Sequence, residues 1–399
     1  MTQAVIPKSD ATVSAVDRPP LVHRGETMPG PDLMVVALSA RALSASARRG
    51  GKQVAAMDLF ADADTAAMAE RCIALPSRRL RMPGPALLRA LAAPDLRGVP
   101  LVYGAGFEDR PDLLAALARG RPLIGNRAET VARLKDPLGF AALLARLGVP
   151  HPEVAVSFPR ASGEWLLKRA GASGGAHIRP ARRRMPAGYY AQRRMPGRPV
   201  SLLFLADGRR AVPVGFSRQW SDPAPGQPYR YGGAVGPLLP SPAFGGIAEA
   251  MVDAAARIAG AVGLVGLNSA DFLAGPAGWW LLEINPRPGA TLDLFDRPPM
   301  PSLLDLHLAA CAGELPARLP PLAGCQAAAL VYSPVAVALG HEVRWPDWTA
   351  DHPQLPAQIP AGAPLCTVLA DAADAVAARR LAGRRRRELL AEHVVEEMA

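Results

Sequence analysis

The residues best equipped for chemistry lie in Trp279–Ala290, which reads W-W-L-L-E-I-N-P-R-P-G-A. An extended strand sends alternate side chains to one face. Glu283, Asn285 and Arg287 are therefore expected to share a face while Leu282 and Ile284 point into a core. Carboxylate and amide oxygens suit Mg²⁺, and the fork of an arginine suits phosphoryl oxygens. A second carboxylate, Asp271, lies upstream in G-L-N-S-A-D-F-L-A, and Gly275, Pro276 and Gly278 between the runs are turn residues. The pattern predicts a β-hairpin. For Asp271 to lie opposite Glu283 its loop must hold an odd number of residues, as Pro276–Gly278 would. A slip of one residue sends Asp271 to the other face. The alternative is an edge hairpin whose polar residues only meet water.

Cations that could meet such a site are few in kind. Of 45 basic residues only Lys8, Lys52, Lys135 and Lys168 are lysines, so a retained lysine marks a place where a compact ammonium is needed. Lys168 ends the strand-like W-L-L-K and precedes R-A-G-A-S-G-G-A-H, residues 169–177. A strand lysine beside a glycine-rich turn can neutralise a polyphosphate while turn amides wrap it. It is not a Walker A loop, because the lysine precedes the glycines and no Ser or Thr follows it. Lys135, in L-K-D-P, is expected on the first turn of a helix opened by Pro137. There it either reaches a phosphate across a cleft or is ordinary surface.

The elements that must position these groups follow in order. Residues 1–31 lack periodicity and are expected to form a disordered arm. Leu33–Leu38, a helix over residues 40–49 capped by Ser39, and Val54–Asp58 read as a βαβ unit. Ser39-Ala40-Arg41 stands where a dinucleotide fold would show glycines, and Asp58 reads better as a cap than as a ribose ligand. Leu101–Tyr103 with Gly104-Ala105-Gly106 and Glu108, then Leu123-Ile124, continue the strands. Val149-Pro150-His151-Pro152 marks a change of subdomain. Residues 189–197 read as a link and Tyr231-Gly232-Gly233 as a loop. Residues 201–206 and 212–220 read as a strand pair, and residues 248–262 as an Ala-rich helix. Strands over residues 327–332 and 362–370 and a basic helix from Ala372 close the chain, its Arg run 384–387 expected on solvated surface.

Composition narrows the classes. The chain has 399 residues and a net charge of +10, which fits anionic substrates. Nucleic acid is disfavoured, since the Arg clusters at 182–184 and 384–387 carry no interleaved aromatics. No apolar run spans a bilayer and no secretory start is seen. Four scattered cysteines without a CxxC pair suit a reduced compartment, so a cytoplasmic location is expected.

Taken together, the strand lysine, the glycine-rich turn and D-x(n)-E-x-N-x-R resemble the ATP-grasp superfamily of ligases, including the group related to biotin carboxylase. L-L-E-I-N-P-R-P-G is the most specific part. The resemblance implies an α/β (α+β) fold in three parts: an N-terminal Rossmann-like parallel βαβ domain, a small lid lobe and an antiparallel catalytic lobe. The implied boundaries are 32–125 for the first domain, 126–320 for the ATP-grasp domain with its lid at about 151–192, and 321–399 for a C-terminal lobe and basic helix. It implies ATP with Mg²⁺ or Mn²⁺, the metal on Asp271, Glu283 and Asn285. Lys135 and Lys168 would hold phosphates, and Gly171, Ser173, Gly174 and Gly175 would cover them. Gln192, where the family more often has Glu, and Met195 would meet the adenine. Arg287 would steady the transition state, with Lys168 beside it. Many relatives have Asp-Lys where this chain has Lys135-Asp136.

The implied chemistry activates a carboxylate as acyl-phosphate and transfers it to an amine. The expected partners are small-molecule carboxylate and amine substrates, and a homodimer is compatible with the pattern. S-A-R-A-L near the start and D-L-F-A-D after the second strand also resemble carboligases, some of them associated with one-carbon cofactor biosynthesis of the methanopterin or methanofuran type. The alternatives are a biotin-carboxylase-like component, for which the chain shows no biotinyl-lysine motif, and a non-catalytic ATP-binding regulatory module.

Overall fold

A computed structural model describes residues 30–77, 80–157, 164–181, 185–238 and 242–394. The expected arm lies outside the described residues apart from its last two, and the 182–184 cluster lies outside them entirely. Five short strands open the fold: β1 (Leu33–Val36), β2 (Val54–Asp58), β3 (Arg71–Ala74), β4 (Leu101–Tyr103) and β5 (Leu123–Ile124). They pair in parallel in the order β3-β2-β1-β4-β5. Every residue of β1 and β2 is buried, which explains their uninterrupted apolar runs: a parallel sheet is covered on both faces. The covering helices are α1 (Arg41–Arg49), α2 (Ala63–Met68), α3 (Gly84–Ala90) and α4 (Pro111–Leu117). The strand order reverses between β1 and β4, and a crevice for ligands forms beyond the strand ends at such a switch.

Asp58 caps more than its own turn. Its carboxylate accepts from the amides of Phe60 and Ala61, at 3.0 and 2.6 Å, and from Ala40 at 2.7 Å. The start of α1 is thus held from the neighbouring strand and not by Ser39, whose hydroxyl donates to Asp351 at 3.4 Å.

Lys135 does not open a helix; it ends one. The run breaks into α5 (Ala128–Lys135) and α6 (Pro137–Arg146), with Asp136 extended between them. Pro137 forces this, because the residue before a proline is disfavoured in the helical region. The ammonium is therefore delivered from the negative end of a helix dipole.

A small antiparallel sheet follows, from β6 (Val154–Ala155), β7 (Trp165–Arg169), β8 (Arg179–Pro180) and β9 (Tyr189–Arg193), in the order β6-β9-β7-β8. The segment read as a link is the central strand β9. One face buries Trp165, Leu167 and Ala191. Cross-strand partners share a face, so Lys168 with Tyr190 and Leu166 with Gln192 lie on the other.

The large sheet holds β10 (Arg198–Asp207), β11 (Ala211–Ser221), β12 (Tyr231–Gly236), β13 (Val265–Gly275), β14 (Gly278–Asn285) and β15 (Cys325–Tyr332). A small pair, β16 (Val337–Leu339) with β18 (Ala357–Ile359), brackets β17 (Thr349–Ala350), and β19 (Pro364–Ala372) completes the set. The large-sheet order is β14-β13-β10-β11-β12-β15-β19-β17, antiparallel throughout. Tyr231-Gly232-Gly233 is thus strand, not loop. Small residues are needed there because a Cβ on Gly233 would sit 2.4 Å from the Trp220 ring.

Helix α7 (Pro242–Val262) packs with α6 on one face of the sheet through Met251, Ile258, Leu143 and Leu144 against Phe204 and Phe272. Helices α8 (Leu292–Phe295) and α9 (Leu303–Cys311) join the sheet to α1. Helix α10 (Ala375–Val394) covers β15 and β19. Part of its Arg run is not free surface: Arg385 donates to the Leu369 carbonyl at 2.6 Å and Arg386 pairs with Asp222 at 3.2 Å. Among the described residues no helix is long and apolar enough to cross a membrane.

Candidate functional site

The hairpin of β13 and β14 brings the expected carboxylates face to face by a different route from the one expected. Gly275 pairs with Gly278, so the loop holds only Pro276 and Ala277, an even number. The pairs continue to Phe272 with Leu281; then a β-bulge passes over Leu282, and Asp271 pairs with Glu283. The bulge supplies the odd residue that the turn lacks, since it sets two residues against one. It also changes the core: Leu281 and Ile284 are buried, whereas Leu282 is only partly so.

The polar side chains form one connected network. Asn285 donates through Nδ2 to Asp271 Oδ2 at 3.0 Å, while its Oδ1 accepts from Lys135 Nζ at 3.1 Å. Lys135 also donates to Glu283 Oε2 at 3.1 Å, and Gln219 Nε2 donates to Asp271 Oδ1 at 3.3 Å. The amide of Asn285 is thereby fixed in orientation, its oxygen toward the ammonium and its nitrogen toward the carboxylate.

The two carboxylates are driven apart in acidity. Burial pushes the Asp271 carboxyl up, and the charge of Glu283 pushes the same way. Burial opposes ionisation of Glu283 too, but Lys135 and Lys168 outweigh it and hold this carboxyl below its ordinary value. Lys168 is buried, which pulls its ammonium down; Glu283 and Asp271 work against that, and Lys135 reinforces it. The small sheet therefore sets Lys168 within electrostatic reach of both carboxylates.

Arg287 follows the end of β14 and points to the first sheet. Its Nε donates to Glu108 Oε1 at 2.6 Å, and both side chains are buried. Glu108 Oε2 accepts from the amides of Gly106 and Phe107 at 2.8 and 3.0 Å. Burial alone would raise the Glu108 carboxyl, but Arg287 and Lys135 bring it below its ordinary value. The Pro286 carbonyl beside Arg287 accepts from Asn126 Nδ2 at 3.0 Å and lies 3.1 Å from the Tyr103 hydroxyl. Glu108, Asn126 and Tyr103 were not singled out by sequence reasoning. The turn Gly104-Ala105-Gly106 leading to Glu108 was the available signal, and a lone GxG carries little information.

The glycine-rich turn lies folded down. A Cβ on Gly171 would meet the Glu108 carbonyl at 2.5 Å, and one on Gly175 the Tyr229 carbonyl at 1.9 Å; their φ values are +69° and +73°. The Gly174 carbonyl accepts from the Tyr231 amide at 2.9 Å. Ser173 is half-buried in the same turn. His177, just past the glycines, is a further site residue that was missed. Burial pulls its imidazole down to about 4, with Lys168 and Arg169 adding to the effect and Glu283 opposing it. It is neutral at pH 7, and its Nδ1 is buried without a hydrogen-bond partner among the described residues. Gln192 is buried on β9, on the face of Lys168, and Met195 is half-buried two residues past the strand. Lys135, Lys168, Asp271, Glu283, Asn285 and Arg287 are thus gathered. Gln192 stands on β9 beside them, and Met195 lies two residues past its end.

Comparison with known proteins bears on the fold around these residues. Residues 135–291 match the family model of the ATP-grasp domain. No curated protein matches the chain. Among solved structures, the chain is similar to the biotin carboxylase domain dimer of Hydrogenobacter thermophilus 2-oxoglutarate carboxylase in complex with MgADP, ADP and bicarbonate. The TM-score is 0.68 at 13% identity, covering 90% of each chain. Biotin carboxylase from Campylobacter jejuni, in a β,γ-ATP complex, gives 0.69 at 14% identity over 87% of this chain and 89% of that one. The biotin carboxylase domain of a single-chain bacterial carboxylase gives 0.65 at 19% identity over 86% and 85%. Residues 135–291 thus carry an ATP-grasp domain, set within a fold shared with biotin carboxylases.

Proposed function

We propose that the protein is an ATP-dependent ligase that activates a substrate carboxylate as an acyl-phosphate and transfers the acyl group to an amine, releasing ADP and phosphate. The observation that carries this reading is the single network of Lys135, Glu283, Asn285 and Asp271 facing Lys168. Asp271, Glu283 and the Asn285 oxygen form an all-oxygen donor set, the chemistry of a hard divalent cation. Among the described residues no three His, Cys, Asp or Glu side chains gather. Two carboxylates and one amide oxygen would therefore hold a Mg²⁺ or Mn²⁺ ion together with the nucleotide. When bound, that ion supplies neutralisation of phosphoryl charge.

The chain's own groups do the rest. Lys168 and Lys135 draw the triphosphate toward the carboxylates, and Arg287, fixed by Glu108, meets charge developing on the transferred group. The Gly171–Gly175 turn excludes water from the acyl-phosphate, and Gln192 with Met195 flanks the base. Neutral His177 stands where the turn closes, its imidazole pulled down to about 4 by burial and so adding no charge beside the phosphates. A role in assembling a one-carbon cofactor of the methanopterin or methanofuran type is the narrower form of this reading, in a cytoplasmic setting.

The test is ADP release with Mg²⁺-ATP over a grid of small carboxylates, bicarbonate included, and amines. An acid–amine pair that raises ADP release and yields an amide is the expected outcome. Release with bicarbonate alone would replace the reading with carboxylation, and binding without release under every condition would leave a regulatory module. Gly175→Ala is expected to weaken apparent nucleotide affinity by roughly tenfold, because a left-handed alanine costs about 1–2 kcal/mol before its contact with Tyr229 is counted. A KM for ATP within about twofold of the parent would remove the turn from the closing step.

A further inference from the structure

The large sheet has a second face, turned from the cleft. Along β11, Gln219 points to Asp271, so alternation sends Arg218 and Trp220 to the rear. There Trp220 packs among residues of α10. A cavity of about 330 Å³ opens at this place, lined by Arg218, Val235, Ala375, Val376, Arg379 and Arg380. Arg379 is held by its guanidinium lying 4.8 Å from the centroid of the Trp220 ring. The Nε of Arg218 is buried with no hydrogen-bond partner among the described residues.

The nearby carboxylates are spent elsewhere. Asp222, just past β11, is taken by Arg230 at 3.0 Å and Arg386 at 3.2 Å. Asp374 caps α10 by accepting from the amides of Val376 and Ala377 at 2.8 and 2.9 Å. Asp371 lies 3.4 Å from Gln326 Nε2. Among the described residues no carboxylate pairs with Arg218, Arg379 or Arg380. Three guanidinium groups thus border one cavity with no carboxylate paired to them among the described residues. Like charges so placed repel, and a buried donor without an acceptor is a desolvation cost.

An oxyanion relieves both, since the arginine fork matches phosphate and carboxylate oxygens alike. The amides of Val376 and Ala377 are taken by Asp374, so the attraction resides in the side chains. Val235, Ala375 and Val376 supply an apolar wall for a carbon skeleton. We propose that this rear cavity binds a small polyanion bearing phosphate or carboxylate groups, as a site separate from the cleft of Asp271 and Glu283.

The test is calorimetric titration of the full chain with inorganic pyrophosphate and, separately, with citrate. The parent is compared with Arg218→Ala, Arg380→Ala and Lys168→Ala. Saturable binding of one anion, weakened about tenfold or more by either rear substitution and kept in Lys168→Ala, is the expected result. Preference for pyrophosphate identifies a phosphate ligand, and preference for citrate a carboxylate one. Arg380 is exposed, so its removal still reports if Arg218→Ala fails to fold. The proposal is overturned if neither anion saturates, if the rear substitutions leave binding unchanged, or if binding is lost with Lys168 instead. None of these results depends on ATP turnover, so they stand apart from the ligase reading.

Discussion

Glu283→Gln is expected to lower ATP turnover by at least ~10²–10³-fold, the range for loss of one preorganised electrostatic contact to a transferring group. The substitution keeps the length and one acceptor oxygen, so the hydrogen bond from Lys135 can persist. What it removes is the negative charge that Lys135 and Lys168 hold in its ionised form. Stability should change by only about 1 kcal/mol, the worth of a charge-assisted bond turned neutral. Asp271 should become easier to ionise, because Glu283 is one of the groups that raise it. Circular dichroism together with coupled ADP release separates the two effects. Turnover within about twofold of the parent, in a folded variant, would falsify the placement of the site.

Glu108→Ala has the other large expected effect, and it acts on the fold as well as the site. It leaves the buried Arg287 guanidinium without its partner and frees the amides of Gly106 and Phe107. Breaking a buried pair from one side costs about 3–5 kcal/mol. The melting temperature and turnover should therefore fall together. Glu108→Gln restores an acceptor without the charge and should recover part of the stability but little of the turnover. The pH dependence has a definite sign. The folded Glu108 carboxyl is held below its ordinary value, so its contribution is complete above the unfolded carboxylate range. It is lost as pH falls through the lowered folded value. The stability gap between parent and Glu108→Gln should accordingly be widest near neutrality and close in acid. A gap that does not vary with pH would sink the assignment.

Much of the frame was legible because the signals were local. The runs at β1 and β2 are apolar throughout, as strands covered on both faces must be. The hairpin of β13 and β14 was legible from its turn residues, but the pairing of Asp271 with Glu283 rests on a bulge and not on the three-residue loop that alternation required. The bulge at Leu282 was not legible, since period-2 alternation has no mark for a skipped residue. Lys135 was placed on the wrong helix because Pro137 was read as a start without asking what it must end. β9 and β12 read as link and loop because Ala, Gln and Arg in the one and three glycines in the other dilute the strand-favouring Tyr and Val. Glu108 and Asn126 escaped for a different reason: each works through partners far away in the chain. Arg287 is 179 residues from Glu108, and Asn268 is 142 from Asn126.

The seat of the glycine turn has a consequence for the order of events. Gly171 rests on the backbone of Glu108 and Asp109, and the side chain of that same Glu108 grips Arg287. One short loop of the parallel sheet is thus at once the seat of the glycine turn and the bracket for Arg287. In the proposed ligase, a shift of that loop would unlatch both in a single stroke. Seating of the turn and alignment of Arg287 would then be coupled through the least conspicuous turn in the chain.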